Sequence, residues 1–321
     1  MLDEIPELSD VLDARRVIAP YLVPTPQWRY PLLDELVGTE VLVKHENYQP
    51  TGAFKVRGGI NLVARLDADT RAAGVYAAST GNHGQSIAYA ARVFGVAATI
   101  YVPRGANPLK VAAMRALGAE VVEHGVDFDE ARERCAIVPQ ERGARYVHSA
   151  NEPLLIAGVA TATLELLERE PGIEAIIVPV GGGSAAAGAC LVAKAVRPAI
   201  EVIAVQSSAA PAAHRGWRER ELVEDAMGTF AEGLQTRFAF ALPQRIMAER
   251  LDDFVLVTDD EIRAATLQMI ECTHSLVEPA GAAPLAAALK LRERLAGKRI
   301  AILASGANIT PAQLRELLGE T

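Results

Sequence analysis

The chain has 321 residues and a mass of 34.2 kDa, enough for a large buried core and for two domains. Half of its residues are hydrophobic, which predicts a globular protein, whereas the net charge of -8 and the pI near 5.4 argue against a nucleic-acid partner. No apolar run is long enough to cross a bilayer, and the acidic start, MLDEIPELSD, does not resemble a signal peptide. We therefore expect no membrane association and a cytoplasmic location.

The start of the chain predicts a helix, a strand and then a segment of unusual composition. The helix runs from Val11 to Tyr21 with Ser9 as its cap, and the prolines that follow it end it. The strand runs from Glu40 to Lys44. The segment Lys44–Gly59, KHENYQPTGAFKVRGG, then leads into a second helix.

Short apolar strands alternate with helices after Gly74, which is typical of a parallel sheet covered on both faces. The first series has strands at Val75–Ala78, Ala98–Val102, Glu120–Val122 and Arg145–Val147, and helices at Gly84–Phe94, Leu109–Leu117 and Asp127–Val138. The second series has helices at Leu154–Leu167, Ala185–Ala195, Asp260–Cys272 and Ala282–Leu295, and strands at Ala175–Val180, Glu201–Val205, Phe254–Val257 and Arg299–Ala304. Thr310 caps a closing helix, and irregular polar chain from Ser207 to Gln235 interrupts the second series.

This order of elements predicts an α/β protein with two doubly wound open sheets. We expect residues 1–73 and 149–321 to form a large domain, and residues 74–148 to form a small domain inserted in it. The active site would lie in the cleft between them, with Lys44–Gly59 close to it.

Cysteine and histidine spacing indicates neither disulfides nor a metal. Cys135, Cys190 and Cys272 form no CxxC pair, and the six histidines include no HExxH. We therefore predict buried apolar cysteines and no metal site.

Lys55 is a candidate for covalent catalysis because it follows Phe54 at the start of a predicted helix. The helix dipole disfavours a cation there, and a neutral amine can form a Schiff base with a carbonyl compound. The alternative interpretation is an ordinary ion pair between Lys55 and Glu46.

Four polar or glycine-rich turns stand at or just beyond strand ends, at the edge where open parallel sheets bind ligands. They are Ser79–His83, Gly181–Ser184, Ala231–Gly233 and Ser305–Asn308.

The glycine turn favours a phosphate, because its amides and the start of the next helix form an anion site. It could instead be a tight turn that needs positive φ. A dinucleotide is disfavoured, because the next strand ends at Gln206 where an acidic residue would hold the ribose.

Three polar side chains in the other turns have a functional and a structural interpretation. Asn82 could bind a ring oxygen or cap the helix that follows it. His83 could be an acid or base or have a structural role. Ser305 could bind a ligand or its own backbone.

Taken together, TGAFKVRGG, STGNHGQ, NEPLLIAG, VGGGS, VEPAGA and SGAN resemble, in the same order, the serine/threonine dehydratase family of pyridoxal-phosphate enzymes. This family has fold type II and includes threonine deaminase and serine racemase. The resemblance runs from about Lys44 to Asn308, and it implies pyridoxal 5'-phosphate as cofactor.

The resemblance also implies a role for each turn. Lys55 would carry the cofactor as a Schiff base, with Phe54 beside it, and Asn82 would contact the 3′-oxygen of the ring. Gly181, Gly182, Gly183 and Ser184 would hold the phosphate, and Ser305 would face the pyridine nitrogen. Ser79, Thr80, Gly81, Asn82 and His83 would receive the substrate.

The implied reaction removes water from a 2-amino-3-hydroxy acid such as L-serine or L-threonine and releases a 2-oxo acid and ammonia. Lys55 would remove the Cα proton. The alternatives are a racemase or a β-replacement enzyme of the same fold, and then a non-catalytic ligand-binding relative. The resemblance also implies a homodimer.

The chain departs from the family pattern at four places. Ala53 replaces the common serine before Phe54, and Val159-Ala160 replaces the usual Gln-Gly. Gln206 and Ala212 stand where several members bind a divalent cation through carboxylates, so we predict that this cation site is missing. Thr80 replaces the serine of serine racemase, which makes racemisation a weaker expectation than elimination.

Overall fold

The computed structural model describes residues 4–126 and 128–319. Its strands are β1 Gln27–Arg29, β2 Glu40–His45, β3 Val75–Ala78, β4 Ala98–Val102, β5 Glu120–Glu123, β6 Arg145–Tyr146, β7 Ala175–Pro179, β8 Glu201–Ser207, β9 Asp253–Val257 and β10 Arg299–Ala304. Its helices are α1 Leu8–Ile18, α2 Pro31–Val37, α3 Lys55–Ala64, α4 Ala68–Ala73, α5 Asn82–Phe94, α6 Pro108–Ala116, α7 Phe128–Glu141, α8 Pro153–Arg169, α9 Ser184–Val196, α10 Ala212–Glu219, α11 Ala241–Arg250, α12 Asp259–Thr273, α13 Pro279–Lys290, α14 Arg292–Leu295 and α15 Pro311–Leu317. Two 3-10 turns, Glu46–Tyr48 and Glu232–Leu234, complete the described elements.

The strands form two sheets. The larger has the order β1-β2-β10-β7-β8-β9, and the smaller has the order β5-β4-β3-β6. Every described pair of strands is parallel except β1 with β2. The predicted parallel α/β class is therefore confirmed, and β1 adds an antiparallel edge.

Both faces of the larger sheet are buried, because successive residues of its strands enter different cores. On β7, Ile176 and Val178 pack with residues of α8 and α9, whereas Ala175 and Ile177 pack with residues of α12 and α13. This arrangement explains why β7 reads as a continuous apolar run in the sequence.

The smaller sheet contains only strands from residues 75–146 among the described elements, and α3 shares its core. Val56 and Ile60 of α3 pack with Val75 and Ile100, on the face opposite Tyr76. Helix α3 contacts helices that pack on each of the two sheets. The division into a large and a small domain stays a prediction.

Helices α3 and α8 approach each other at backbone distance. A Cβ atom at Gly58 would lie 2.9 Å from the carbonyl oxygen of Leu155, and one at Gly158 would lie 2.7 Å from that of Arg57. Because a side chain at either position would collide with backbone, glycine at both positions sets the separation of the two helices.

A buried ionic cluster lies beside this contact. Arg57 is fully buried and donates to both carboxylate oxygens of Glu46, at 2.7 and 2.8 Å, and to both of Glu165, at 2.6 and 2.7 Å. Lys44 donates to Glu165 at 2.7 Å. Burial alone would raise the pKa of Glu46, but the Arg57 guanidinium holds that pKa below its ordinary value.

Several predicted boundaries are wrong for identifiable reasons. Helix α1 begins at Leu8, so Ser9 lies inside it, and the amide of Glu7 donates to Asp10 instead. The stretch expected to be irregular after Ser207 contains α10. The single helix predicted at Ala282–Leu295 is two helices, α13 and α14, because α13 ends at Lys290. Asp127 lies outside the described residues, and α7 is described from Phe128.

We predict that Arg57→Met lowers the free energy of unfolding by about 3–5 kcal/mol, because it leaves Glu46 charged, buried and unpaired. Urea denaturation monitored by circular dichroism measures this. The matched control is Arg16→Met, since Arg16 forms an exposed pair with Asp13 and its loss should change little. Equal midpoints for the two variants would contradict a structural role for the cluster.

Candidate active site

Turns that follow β3, β7 and β10 line one cavity of about 200 Å³. The cavity brings together all twelve residues predicted for the site. They are Phe54, Lys55, Ser79, Thr80, Gly81, Asn82, His83, Gly181, Gly182, Gly183, Ser184 and Ser305. Residues from distant parts of the chain meet here because parallel strands present their carboxyl ends at the same edge of a sheet.

The amine of Lys55 is held at a defined position in the cavity. Its Nζ donates to the carbonyl of Ser149 at 3.0 Å and to the hydroxyl of Ser184 at 2.9 Å, and it lies 5.3 Å from the centre of the Phe54 ring. Removal from water lowers the pKa of Lys55 to about 8. The neutral fraction at pH 7 is therefore roughly 300-fold larger than for an ordinary lysine.

The alternative ion pair between Lys55 and Glu46 is wrong. Glu46 is held by Arg57, two residues further along the chain, and also accepts from Thr25 at 2.6 Å. The carboxylate that could have neutralised the Lys55 amine is thus committed elsewhere, which leaves that amine in the cavity.

The glycine turn Gly181–Ser184 has no room for a side chain at Gly183. Gly183 has φ of +89°, and a Cβ atom there would lie 2.8 Å from Cβ of Pro243. The turn leads directly into the 13-residue helix α9, whose first amides have no partner within the helix. The positive φ of the structural interpretation is present, and the turn stands at a helix N-terminus, where an anion is favoured; the phosphate role stays a prediction.

The side chain of Asn82 is oriented by two neighbours. Its Nδ2 donates to Oε1 of Glu278 at 2.7 Å, and its Oδ1 accepts from Nδ2 of Asn308 at 2.6 Å. The interpretation of Asn82 as a helix cap is wrong, since α5 begins at Asn82 itself and its cap position is Gly81.

Glu278 is a cavity residue that the sequence analysis did not assign, although it lies in the VEPAGA motif. Its side chain is buried, and burial raises the pKa of its carboxyl group. A glutamate between a valine and a proline at the start of an otherwise apolar helix was the available signal. Its contact with Asn82 could not be read from the sequence, because 196 residues separate them.

His83 is a neutral imidazole at physiological pH. Burial and, to a lesser extent, the charge of Lys55 lower its pKa to about 3. Its Nε2 lies 3.2 Å from the carbonyl of Val147, and its Nδ1 has no hydrogen-bond partner among the described residues. With this pKa the imidazolium form of His83 is scarce near pH 7.

Ser305 joins the end of β10 to the Lys55 segment. Its carbonyl accepts the amide of Phe54 at 3.0 Å, and the next residues continue this contact, since Ala307 donates to the carbonyl of Gly52 at 2.8 Å. Ala53, one of the departures from the family pattern, pairs with Gly306 and is fully buried. The side chain of Ser305 is 3% exposed and lines the cavity.

The predicted turn Ala231–Gly233 lines the cavity in part. Its residues Glu232 and Gly233 do so together with the next residue, Leu234. Tyr48 does not line it, because its ring packs on His45 and its hydroxyl lies 2.5 Å from that of Ser275. The lining residues that the sequence analysis did not identify include Lys110, Arg132, Ser149, Arg237 and Phe240.

Within residues 4–126 and 128–319, no group of three or more histidine, cysteine, aspartate or glutamate side chains is arranged to hold a metal ion. The described helices include none that is long and apolar enough to span a membrane.

Comparison with known proteins identifies the protein family of this chain. The profile of the family described as "Pyridoxal-phosphate dependent enzyme" matches residues 18–306. The chain belongs to this family, and its fold is that of fold type II enzymes of the serine/threonine dehydratase type.

Particular relatives narrow the comparison. L-threonine ammonia-lyase of Thermotoga maritima is 38% identical over 94% of this chain and 75% of its own length. L-threo-3-hydroxyaspartate ammonia-lyase of Saccharomyces cerevisiae is 33% identical over 95% of this chain and 94% of its own. The crystal structure of serine racemase from Dictyostelium discoideum superposes with a TM-score of 0.89 at 34% identity, covering 95% of this chain and 99% of that one.

The residues of the cavity fit pyridoxal phosphate. A partly deprotonated lysine amine suits its aldehyde, and a side-chain-free turn at the start of α9 suits its phosphate. The cofactor expected from the resemblance is therefore confirmed by the family and is compatible with the site.

We predict that the Lys55 amine, in protein freed of cofactor, reacts with a small amine-selective reagent with a midpoint near pH 8. Only the neutral amine reacts, so the rate rises with pH below the pKa and levels off above it. Peptide mass spectrometry after timed labelling gives this rate. N-acetyl-lysine amide, with an ordinary pKa of about 10.4, is the control, and the same midpoint for both amines would contradict the lowered pKa.

Proposed function

We propose that this enzyme is an ammonia-lyase that eliminates water from a 2-amino-3-hydroxy acid of the L-threonine or L-serine type and yields a 2-oxo acid and ammonia. The carrying observation is the position of the Lys55 amine, between the glycine turn and the turn Ser79–His83 in one cavity. The names of the lyase relatives support the reaction class.

Each turn then has a role toward the cofactor. Lys55 carries it covalently, and the turn Gly181–Ser184 binds its phosphate. Asn82, whose amide is oriented by Glu278 and Asn308, would contact the 3′-oxygen of the ring. Ser305 would offer a neutral hydroxyl to the ring nitrogen, and Phe54 packs beside Lys55.

The substrate binds at the turn Ser79–His83, where the backbone amides at the start of α5 suit a carboxylate. Bound pyridoxal phosphate supplies the electron withdrawal that weakens the Cα–H bond of the amino acid. Lys55 takes that proton in its neutral form, held in place by the Ser149 carbonyl and the Ser184 hydroxyl. The β-hydroxyl then leaves as water, with a proton that Lys55 can return.

With the cofactor bound, the neutral side chain of Ser305 would favour elimination. Unlike a carboxylate, a serine hydroxyl would not stabilise a proton on the ring nitrogen. Glu278 has a raised pKa and contacts Asn82, and Glu232 pairs with Lys110. Rapid departure of the β-substituent is the outcome that a weaker electron sink favours.

Racemisation is the second candidate, supported by Thr80, whose side chain lines the same cavity, and by the serine racemase relative. A hydroxyl opposite Lys55 could return the Cα proton to the other face. Chiral chromatography of L-serine after incubation distinguishes the two reactions, because elimination produces no D-serine. A β-replacement enzyme and a non-catalytic binding protein are less well supported, since the lysine amine and the phosphate turn are both present.

We expect Lys55→Ala to abolish the visible absorption of the covalently bound cofactor. The same variant should turn over L-threonine or L-serine about 1,000-fold more slowly, or slower still, because no other group replaces the amine. Absorption spectra and 2-oxo acid detection measure the two effects. Lys290→Ala is the control and should behave as the wild type, because Lys290 ends α13 in an exposed pair with Glu261 and does not line the cavity. Retention of both signals in Lys55→Ala would refute the proposed function.

We also propose that the enzyme acts as a cytoplasmic homodimer. The side chains of Trp28 and Tyr48 are nearly half exposed and lie together with their rings 6.1 Å apart, which suits an interface between two copies. The three cysteines are unpaired, which suits a reducing compartment. Sedimentation velocity gives the oligomeric state directly.

A further inference from the structure

The Ser149 carbonyl, which accepts from the Lys55 amine at 3.0 Å, belongs to a peptide group with a second polar contact. The other end of that group is the amide N–H of Ala150, which donates to Nδ1 of His148 at 3.0 Å. A trans peptide group is planar, and its C=O and N–H bonds point in opposite directions. Whatever fixes the direction of the Ala150 N–H therefore also fixes the direction of the carbonyl that Lys55 uses.

The His148 imidazole accepts from a second amide as well. The N–H of Asn151 donates to the same Nδ1 at 3.0 Å, so the ring closes a turn over residues 148–151. Because a backbone amide can only donate, Nδ1 must be unprotonated, and the proton of the neutral ring is on Nε2. Burial, with smaller contributions from the charges of Arg132 and Lys55, lowers the pKa of His148 to about 4, which keeps the ring neutral near pH 7.

Neighbouring side chains fix the plane of the imidazole. The rings of Tyr146 and Phe240 meet it edge to face, with centroids 6.1 and 5.2 Å from its own. The backbone amide of His148 donates to the carboxyl group of Glu152, a buried side chain that also accepts from Arg145 at 2.9 Å. The ring is therefore held with its Nδ1 toward the two amides.

The turn that the imidazole closes lies against the glycine turn, since a Cβ atom at Gly182 would lie 3.2 Å from Cβ of Ala150. The Ser184 hydroxyl of the glycine turn is the other acceptor of the Lys55 amine, at 2.9 Å. The amine therefore has one acceptor in each turn. A peptide group within a turn can rotate between its neighbours, so the direction of the carbonyl acceptor depends on what the amide end of its peptide group contacts.

We propose that His148 is a positioning residue for Lys55. By accepting the Ala150 amide, its Nδ1 directs the Ser149 carbonyl toward the lysine amine and holds that amine where it takes the substrate proton. This inference rests on the proposed function and adds to it a residue that does not line the cavity. His148 acts on the amine through the intervening peptide group and exchanges no proton in the reaction.

Two substitutions of His148 separate this role from simple filling of space. In His148→Asn the side-chain oxygen can take the place of Nδ1, because the same number of bonds joins each atom to the backbone. In His148→Gln the oxygen reaches the place of Nε2 instead, although glutamine is closer to histidine in size. We expect kcat of His148→Asn within about threefold of the wild type, and kcat of His148→Gln about 10–100-fold lower, because a displaced base reacts more slowly. KM should change less than about threefold in both, since the substrate turn Ser79–His83 does not use this peptide group.

Labelling of the Lys55 amine in protein freed of cofactor gives a readout that is independent of turnover. A carbonyl acceptor stabilises the ammonium form, so its loss lowers the pKa of the amine. The labelling midpoint should lie near pH 8 for the wild type and His148→Asn, and at least about half a pH unit lower for His148→Gln. His214→Gln is the matched control and should behave as the wild type, because His214 lies on α10 and does not line the cavity.

A third measurement needs only the native protein. Nitrogen-15 NMR of the wild-type holoenzyme at pH 7 should show the His148 ring protonated on Nε2, with the resonance assigned by its absence from His148→Asn. This measurement decides the matter even if His148→Gln does not fold.

The holoenzymes are compared by 2-oxo acid formation from L-serine and L-threonine. Equal kcat values for His148→Asn and His148→Gln, an unchanged labelling midpoint in His148→Gln, or a proton on Nδ1 in the wild type would each overturn the inference and leave the proposed function standing. Lack of 2-oxo acid from every substrate with the wild type would instead overturn the proposed function. The labelling midpoints and the NMR spectrum would then still decide whether His148 positions the amine.

Discussion

Arg57 forms two bidentate ion pairs in a place that water does not reach, and the position of Lys55 depends on them. The two residues share the first turn of α3, so whatever holds the Arg57 side chain also holds the start of that helix. Glu46 comes from the turn after β2, and Glu165 comes from α8. The Arg57 guanidinium therefore connects three elements: the larger sheet through the turn after β2, helix α3, and helix α8. A network of this kind contributes less to net stability than to a unique arrangement, because desolvation offsets much of the attraction.

Burial acts in the same direction on the titratable groups around the cavity. It lowers the pKa of Lys55 and His83 and raises that of Glu278, so each is shifted toward its neutral form. A lysine that alternates between carrying a cofactor and carrying a proton needs a neutral form that is accessible near pH 7. The same low-dielectric environment that makes this possible strengthens any charged contact made inside the cavity.

The sequence was sufficient to predict every described strand except β1 and to predict the twelve residues that meet in the cavity, and the reason is geometric. Residues such as Ser79, Gly181 and Ser305 end apolar strands, and parallel strands bring their ends together, so proximity in space follows from position along each strand. Motifs read in order then supply the cofactor.

What the sequence analysis missed depends on contacts between distant residues. The helix starting at Ala212 has a polar composition and was read as irregular chain, and β1 is three residues long. Glu278 and Arg237 face the cavity only because of how their segments fold back, and periodicity carries no information about that. An ion pair between Lys55 and Glu46 was the alternative because the two residues are close in sequence. In the structure, Arg57 forms the ion pair with Glu46 instead.

The glycine contact between α3 and α8 has a consequence for how enzymes of this kind diverge. The backbones of the two helices are in contact at Gly58 and Gly158, so a side chain at either position would push the helices apart. Such a shift would also move the Lys55 amine, which α3 carries. The wall formed by α7 and the segment before α11 is built from side chains and a surface-connected segment, which tolerate substitution. New specificities can therefore evolve on one wall while the reactive lysine on the other stays unchanged.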